Sequence, residues 1–277
     1  MRARLFVALL VAVAGCSLFV DTGDLDDGSR LIAADGDAAI DAGETTSDVF
    51  VPPGPPIDEG DAAPDVDAAT PAPRIVGDWP FDEGSGTSLN DVSGRDHHGL
   101  LLGNGGAWVE DHAGAAGSAY ETTTEDDYAK IPGNADFDRP AGAVFSLTVW
   151  ARTPEAPDHD LFFSVSYGNK DDSFGIELMS PTTLTYFDGK EHVPQATVPN
   201  VVGAWHHYGV VVDTSQVRVY FDGVRVGSGS PDRTPRTAKE ILLGRSTWGD
   251  RFKGAIDKAR FFRVALTDAE VLAEKNR

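Results

Sequence analysis

The sequence predicts an all-β domain, a two-sheet antiparallel sandwich or closed barrel, closed by one short helix and preceded by a disordered N-terminal tether. Three observations predict it. All five Trp and all six Tyr lie beyond residue 73. Short runs of alternating apolar and polar residues recur across that region with turn residues between them. Only the final stretch carries helix signals.

Residues 1–15 read as a signal peptide. Arg2 and Arg4 precede the apolar run "LFVALLVAVAG", eleven residues that are too few to span a bilayer. The run closes in Val13-Ala14-Gly15-Cys16, which resembles the lipobox of bacterial lipoproteins. That resemblance implies that Cys16 becomes the lipidated first residue of the mature chain, anchored in a bilayer by its acyl chains. An ordinary secretory signal is the alternative. Cys16 is the only Cys, so the chain makes no internal disulfide. Ser17 stands where Asp retains such lipoproteins in the inner membrane. The resemblance therefore implies the bacterial outer membrane or cell surface.

Residues 16–73 read as an acidic linker rich in Pro, Ala and Asp. Fourteen acidic residues stand against the single Arg30, and seven prolines break the segment. Too little apolar surface is present to offset the entropy of ordering. Its like charges repel, and its prolines favour extension. Neither "DLDDGSR" nor "DEGDAAPDVD" has the length or terminal Glu of a helix-loop-helix calcium loop.

Residues 74–277 form the folded domain. The opening stretch "WPFDEGSGTSLNDVSGRDHHG" reads as a first strand and the glycine turns after it. Strands are expected at 145–152, 161–168, 174–180, 183–189 and 205–213. In "VRVYFDGVRVG" two alternating runs flank Asp222-Gly223, a pair suited to the positive φ angles of a tight hairpin. "EILLGR" and "KGAIDKARFFRVAL" supply further strands. The helix follows in "LTDAEVLAEKNR", where Thr267 and Glu270 have capping-box spacing. Val271 and Leu272 are expected to dock it on the sandwich.

Taken in order, "VGDWPFDEGSGTSLNDVSGRDHHG", "AVFSLTVWARTP", "GAWHHYGVVVD", "VRVYFDGVRVG", "ILLGR" and "FKGAIDKARFFRVALTDAEV" resemble the laminin-G-like domains of the concanavalin A-like lectin/glucanase superfamily. The resemblance spans Ile75 to Leu272. It implies a jelly roll of two antiparallel sheets, one of them concave. Function stays open, because that superfamily includes lectins, adhesion modules and glycosidases.

Several chemistries are excluded or weakened. The net charge of −21 argues against nucleic acid and acidic membrane surfaces as partners. "GSGTSL" lacks the remaining glycine of a dinucleotide fingerprint, and no Gly-Lys-Ser/Thr follows. No Gly-x-Ser-x-Gly occurs. Among acids, Glu121, Glu125 and Asp127 in "YETTTEDDYAKI" come nearest to a glycosidase pair. Thr and Asp surround them where apolar packing is needed, so they read as solvated acids at a sheet edge. The His pairs 97-98 and 206-207 and the single His112, His159 and His192 lack chelating spacing, which argues against zinc.

Calcium is a different case. The resemblance implies a structural calcium between the first strand and the last. Asp257 matches the last-strand aspartate of the family pattern, and Asp82 and Asp91 flank the glycine turn. Lys258 stands where the family usually carries an acid, which weakens the match. For ligand contact the candidates are Trp248, Tyr167 and Asn169. The expectation is a membrane-anchored, extracytoplasmic binding module that is not an enzyme. It would recognise a glycan or, failing that, a surface protein. A glycoside hydrolase or lyase on the same fold and a structural envelope lipoprotein are the alternatives.

Overall fold

The computed structural model describes residues 74–168, 173–189, 191–247, 249 and 251–277. The signal peptide 1–15, Cys16 with the 16–73 linker, Asn169 and Trp248 lie outside the described residues.

Two eight-stranded sheets pack face to face. Sheet A runs β14 (Val224–Gly229), β13 (Val217–Phe221), β12 (His206–Val212), β7 (Phe145–Arg152), β16 (Gly254–Phe262), β5 (Ala119–Thr122) and β4 (Ala107–Val109), with β1 (Ile75–Trp79) also paired to β16. Sheet B runs β11 (Glu191–Thr197), β10 (Thr183–Asp188), β9 (Ser173–Ser180), β8 (Asp160–Ser166), β15 (Glu240–Leu243), β6 (Tyr128–Pro132), β3 (Gly99–Leu102) and β2 (Ser88–Leu89). The strand pairings are antiparallel, and half of them join strands that are not neighbours in sequence, as in a jelly roll.

Alternation fixes which face of each strand is buried. On β7, Phe145, Leu147, Val149 and Ala151 enter the core, while Ser146, Thr148, Trp150 and Arg152 point outward. Aromatic rings tie the two sheets together. Phe162 of β8 meets Tyr208 of β12 at 4.7 Å, and Phe145 of β7 meets Phe174 of β9 at 4.8 Å. Offset and tilted pairs of this kind contribute beyond their buried area.

The opening stretch belongs to this core. Trp79 is fully buried, and its indole N–H donates to the His97 carbonyl at 2.9 Å. His97 lies in a loop but is buried, its ring 4.6 Å from Phe137. The β13–β14 hairpin turns at Asp222 (φ 49°) and Gly223 (φ 79°), the conformation the Asp-Gly pair allows.

Helix α1 (Asp268–Lys275) has its capping box: Thr267 Oγ1 accepts from the Glu270 N–H, and the Thr267 N–H donates to Glu270 Oε2 at 2.8 Å. Val271 is fully buried against Val211, Tyr220, Phe262 and Leu266 on the outer face of sheet A. Leu272 departs from expectation. It is 45% exposed, because it sits at the helix flank over the Gly223 turn. Strand β11 was not expected from the sequence. It contains Pro194 and alternates weakly, and it lies at a sheet edge, where proline leaves no ladder bond unmade.

Candidate ligand-binding face

The outer face of sheet B carries an open polar groove. On β6, Ala129 and Ile131 enter the core, so Tyr128 and Lys130 point outward. On β15, Ile241 and Leu243 enter, leaving Glu240 and Leu242 outside. Register then places Leu242 between Lys130 and Ser164, and Glu240 beside Ser166. A groove of about 330 Å³ opens here, lined by Tyr128, Lys130, Ser166, Glu240, Leu242 and Arg245, with Ser246 and Thr247 at its end.

The groove combines one aromatic face with convergent donors and acceptors. Arg245 holds its guanidinium 5.1 Å from the centre of the Tyr128 ring. Lys130 Nζ lies 2.7 Å from Glu240 Oε2, and that hydrogen bond raises the Lys130 pKa. The ammonium therefore stays charged. A flat ring, fixed charges and small hydroxyls on a rigid sheet suit orientation of a polar, ring-shaped ligand.

A second cluster lies further along the same face. On β9, Ile176 and Leu178 enter the core and Glu177 points outward, yet it is only 1% exposed. His159 Nδ1 lies 2.6 Å from Glu177 Oε1, and His192 Nδ1 lies 2.8 Å from Oε2. Nothing in the sequence spacing joins these residues; the β8–β9 pairing brings in His159, and the β9–β10–β11 register brings in His192.

A third cluster occupies the outer face of sheet A. His207, Trp150 and Asp257 sit side by side on β12, β7 and β16. His112 stacks on Trp150 with centroids 4.1 Å apart and rings tilted by only 16°. Its Nδ1 meets Asp257 Oδ2 at 2.6 Å. Asp111 adds a carboxylate but uses Oδ1 to accept the N–H groups of Ala113 and Ala115. Burial pushes the Asp257 carboxyl up to about 6, with His112 opposing it, and pushes the His207 imidazole down to about 3. His207 thus packs as a neutral ring against Trp150.

These positions revise the expected calcium cage. Asp91 Oδ1 accepts from the Asp78 and Ser93 N–H groups, and its Oδ2 accepts from the His97 N–H and the Ser93 hydroxyl. Four donors fill the lone pairs that a cation would need. Burial opposes ionisation there, but the donors hold the Asp91 pKa below its usual value. Asp82 is exposed and lines a separate groove with Lys258, Arg260 and Arg277. Asp257 sits with His112 instead. Among the described residues, no ligand-distance group of three contains Asp82 or Asp91. The donors do not fit the implied ion, so no step is derived through it.

Position bears on two further expectations. Tyr167 does not line the groove. Its ring packs on Phe174 at 5.6 Å beneath the Arg139 guanidinium. Asp127 caps a turn, accepting from the N–H groups of Gly105, Thr123 and Thr124, while Glu125 is exposed and pairs with Arg251. Tyr128 and Lys130 were missed in the sequence. The alternation of "YAKIP" carried the signal.

A sequence profile described as the concanavalin A-like lectin/glucanases superfamily matches residues 123–272. No curated protein matches the sequence. Among solved structures, domain 4 of a GH43 extracellular arabinanase from Geobacillus stearothermophilus, in complex with arabinotriose, is similar at 22% identity and TM-score 0.58. The match covers 73% of this chain and 98% of that one. The binding domain of botulinum neurotoxin serotype G is similar at 14% identity and TM-score 0.57, over 73% and 50%. Trypanosoma rangeli sialidase with the inhibitor DANA follows at 13% identity and TM-score 0.55, over 73% and 32%. The chain thus spans the whole arabinanase domain but only half of the neurotoxin domain and a third of the sialidase. At these identities the likeness is one of fold.

Proposed function

Because the chain belongs to the concanavalin A-like lectin/glucanases superfamily, we propose that residues 74–277 are a non-catalytic binding module that holds a glycan on the outer face of sheet B. The groove over Tyr128 is the observation that carries this reading. An aromatic face offers stacking area to a sugar ring, and Lys130, Glu240, Arg245 and Ser166 offer hydroxyl partners around it. The face is polar instead of being filled by packed apolar side chains. That the similar arabinanase domain was solved with arabinotriose adds a reason to place an oligosaccharide first.

Catalysis has less support. Glycoside hydrolysis takes two carboxylates facing one bond. Glu240 is the carboxylate among the described groove residues, and it is engaged by Lys130. Asp127, the better of the sequence candidates, is committed to its turn.

The N-terminal sequence extends the reading to location. The lipobox-like Val13–Cys16 supports a lipid anchor at the outer membrane or cell surface, and the acidic 16–73 segment supports a tether between anchor and domain. Metabolic labelling with palmitate tests the anchor, and an unlabelled wild type would exclude it. A glycan array probed with the full chain tests the binding reading. Retention of a structurally related set of oligosaccharides is expected. An array with no retained glycan would overturn it.

A further inference from the structure

We propose that His159, Glu177 and His192 bind a divalent transition-metal ion, zinc in the first place. This inference does not depend on the glycan reading. Two imidazoles and one carboxylate are the donor set of three-ligand zinc centres, and calcium prefers oxygen alone. The three ligand atoms lie within 4.8 Å of one another.

Three strands and a loop converge to make the site. Glu177 projects from β9. His192 reaches it from β11, its ring resting 5.3 Å from Phe187 of the intervening β10. His159 enters from the loop before β8 with φ of 60°, a left-handed conformation uncommon for a non-glycine residue. The two imidazole rings lie 5.7 Å apart at 67° and flank the carboxylate: His159 Nδ1 hydrogen-bonds Oε1, while His192 Nδ1 and Glu177 Oε2, 2.8 Å apart, are buried without a hydrogen-bond partner.

The charge balance points the same way. Glu177 is 1% exposed, and among the described residues its ion-pair partners are the two imidazoles. A carboxylate taken this far out of water calls for a positive partner, and a divalent cation held with the two imidazoles supplies one. Around a tetrahedral zinc with bonds of about 2.0–2.1 Å, neighbouring ligand atoms stand roughly 3.3 Å apart. The 2.6 Å His159–Glu177 separation opens to that spacing with a small swing of the His159 ring, whose side chain is 46% exposed, and the 2.8 Å His192–Glu177 separation with a smaller shift of the His192 ring. Three protein ligands leave a fourth position, on the exposed His159 side, for water or an added anion.

Cobalt(II) titration of the chelator-treated full chain reads this site directly. The expected result is a visible d–d band that saturates at one equivalent and is abolished by added zinc. His159→Asn, which tolerates the left-handed backbone, is expected to weaken binding by at least about 10-fold. His192→Ala should do the same, while Asp257→Asn keeps the band. Zinc should also raise the melting temperature of the wild type and leave that of His159→Asn unmoved. Absence of the band in wild type, or an undiminished band in folded His159→Asn, would overturn the proposal.

Discussion

His112 Nδ1 lies 2.6 Å from Asp257 Oδ2 on the outer face of sheet A, while Asp257 Oδ1 has no hydrogen-bond partner. The carboxyl is fully buried, and burial lifts its pKa to about 6 from an unfolded value near 3.8. Below pH 4 the group is protonated in both states and costs nothing. Between about 4 and 6 the unfolded chain releases its proton first, so stability falls as pH rises. Above 6 the loss levels off, on the order of 3 kcal/mol. Asp257→Asn removes the titration. Its stability relative to wild type should climb between pH 4 and pH 7.5 in urea melts. A difference that stays constant with pH would contradict this account.

Asp127 behaves in the opposite sense. Burial opposes its charge, but hydrogen bonds from Thr124, Gly105 and Thr123 hold its pKa down to about 2. The stabilisation is present above pH 4 and fades as the pH falls towards 2. Asp127→Ala strands those N–H groups and should cost about 1–3 kcal/mol at neutral pH. Thermal melts at pH 7 and pH 2.5 check both parts, with the variant's deficit shrinking in acid.

The buried apolar contact of α1 comes from one side chain. Val271 fills a buried site against Tyr220 and Phe262, whereas Leu272 is exposed. Val271→Ala should destabilise the domain by about 2 kcal/mol, and Leu272→Ala by well under 1. Equal effects in a denaturant series would mean that the helix packs differently.

Calcium gives a fourth test. Asp91 is saturated by donors, and Asp82 shares its groove with three cations. Millimolar calcium is therefore expected to leave the melting temperature within about one degree. A rise of several degrees would restore a calcium site at the domain's ends.

The strands between 145 and 262, β11 apart, were legible because alternation and Asp-Gly turn chemistry agree there. Order among the motifs then gave the jelly roll. Edge elements were harder to see: β2 has two residues, and β11 carries Pro194 with little alternation. The site was less legible still. His159, Glu177 and His192 are separated by 18 and 15 residues, and only the register of β8 on β9 and of β9, β10 and β11 brings them together. Asp91 looked like a metal ligand because its type and loop suited one. Its role is to gather the backbone N–H groups of its own loop and of Asp78 on β1, which residue identity alone does not reveal. Tyr128 and Lys130 could have been found, since Ala129 and Ile131 fix their outward direction.

The proposed glycan site on sheet B depends on stacking over Tyr128. Calorimetric titration of the wild type and Tyr128→Ala with the strongest array ligand measures that contribution. The expected result is a loss of affinity of about 10-fold or more, equivalent to at least about 1.4 kcal/mol, with the melting temperature little changed. Equal affinity in the two proteins would contradict it.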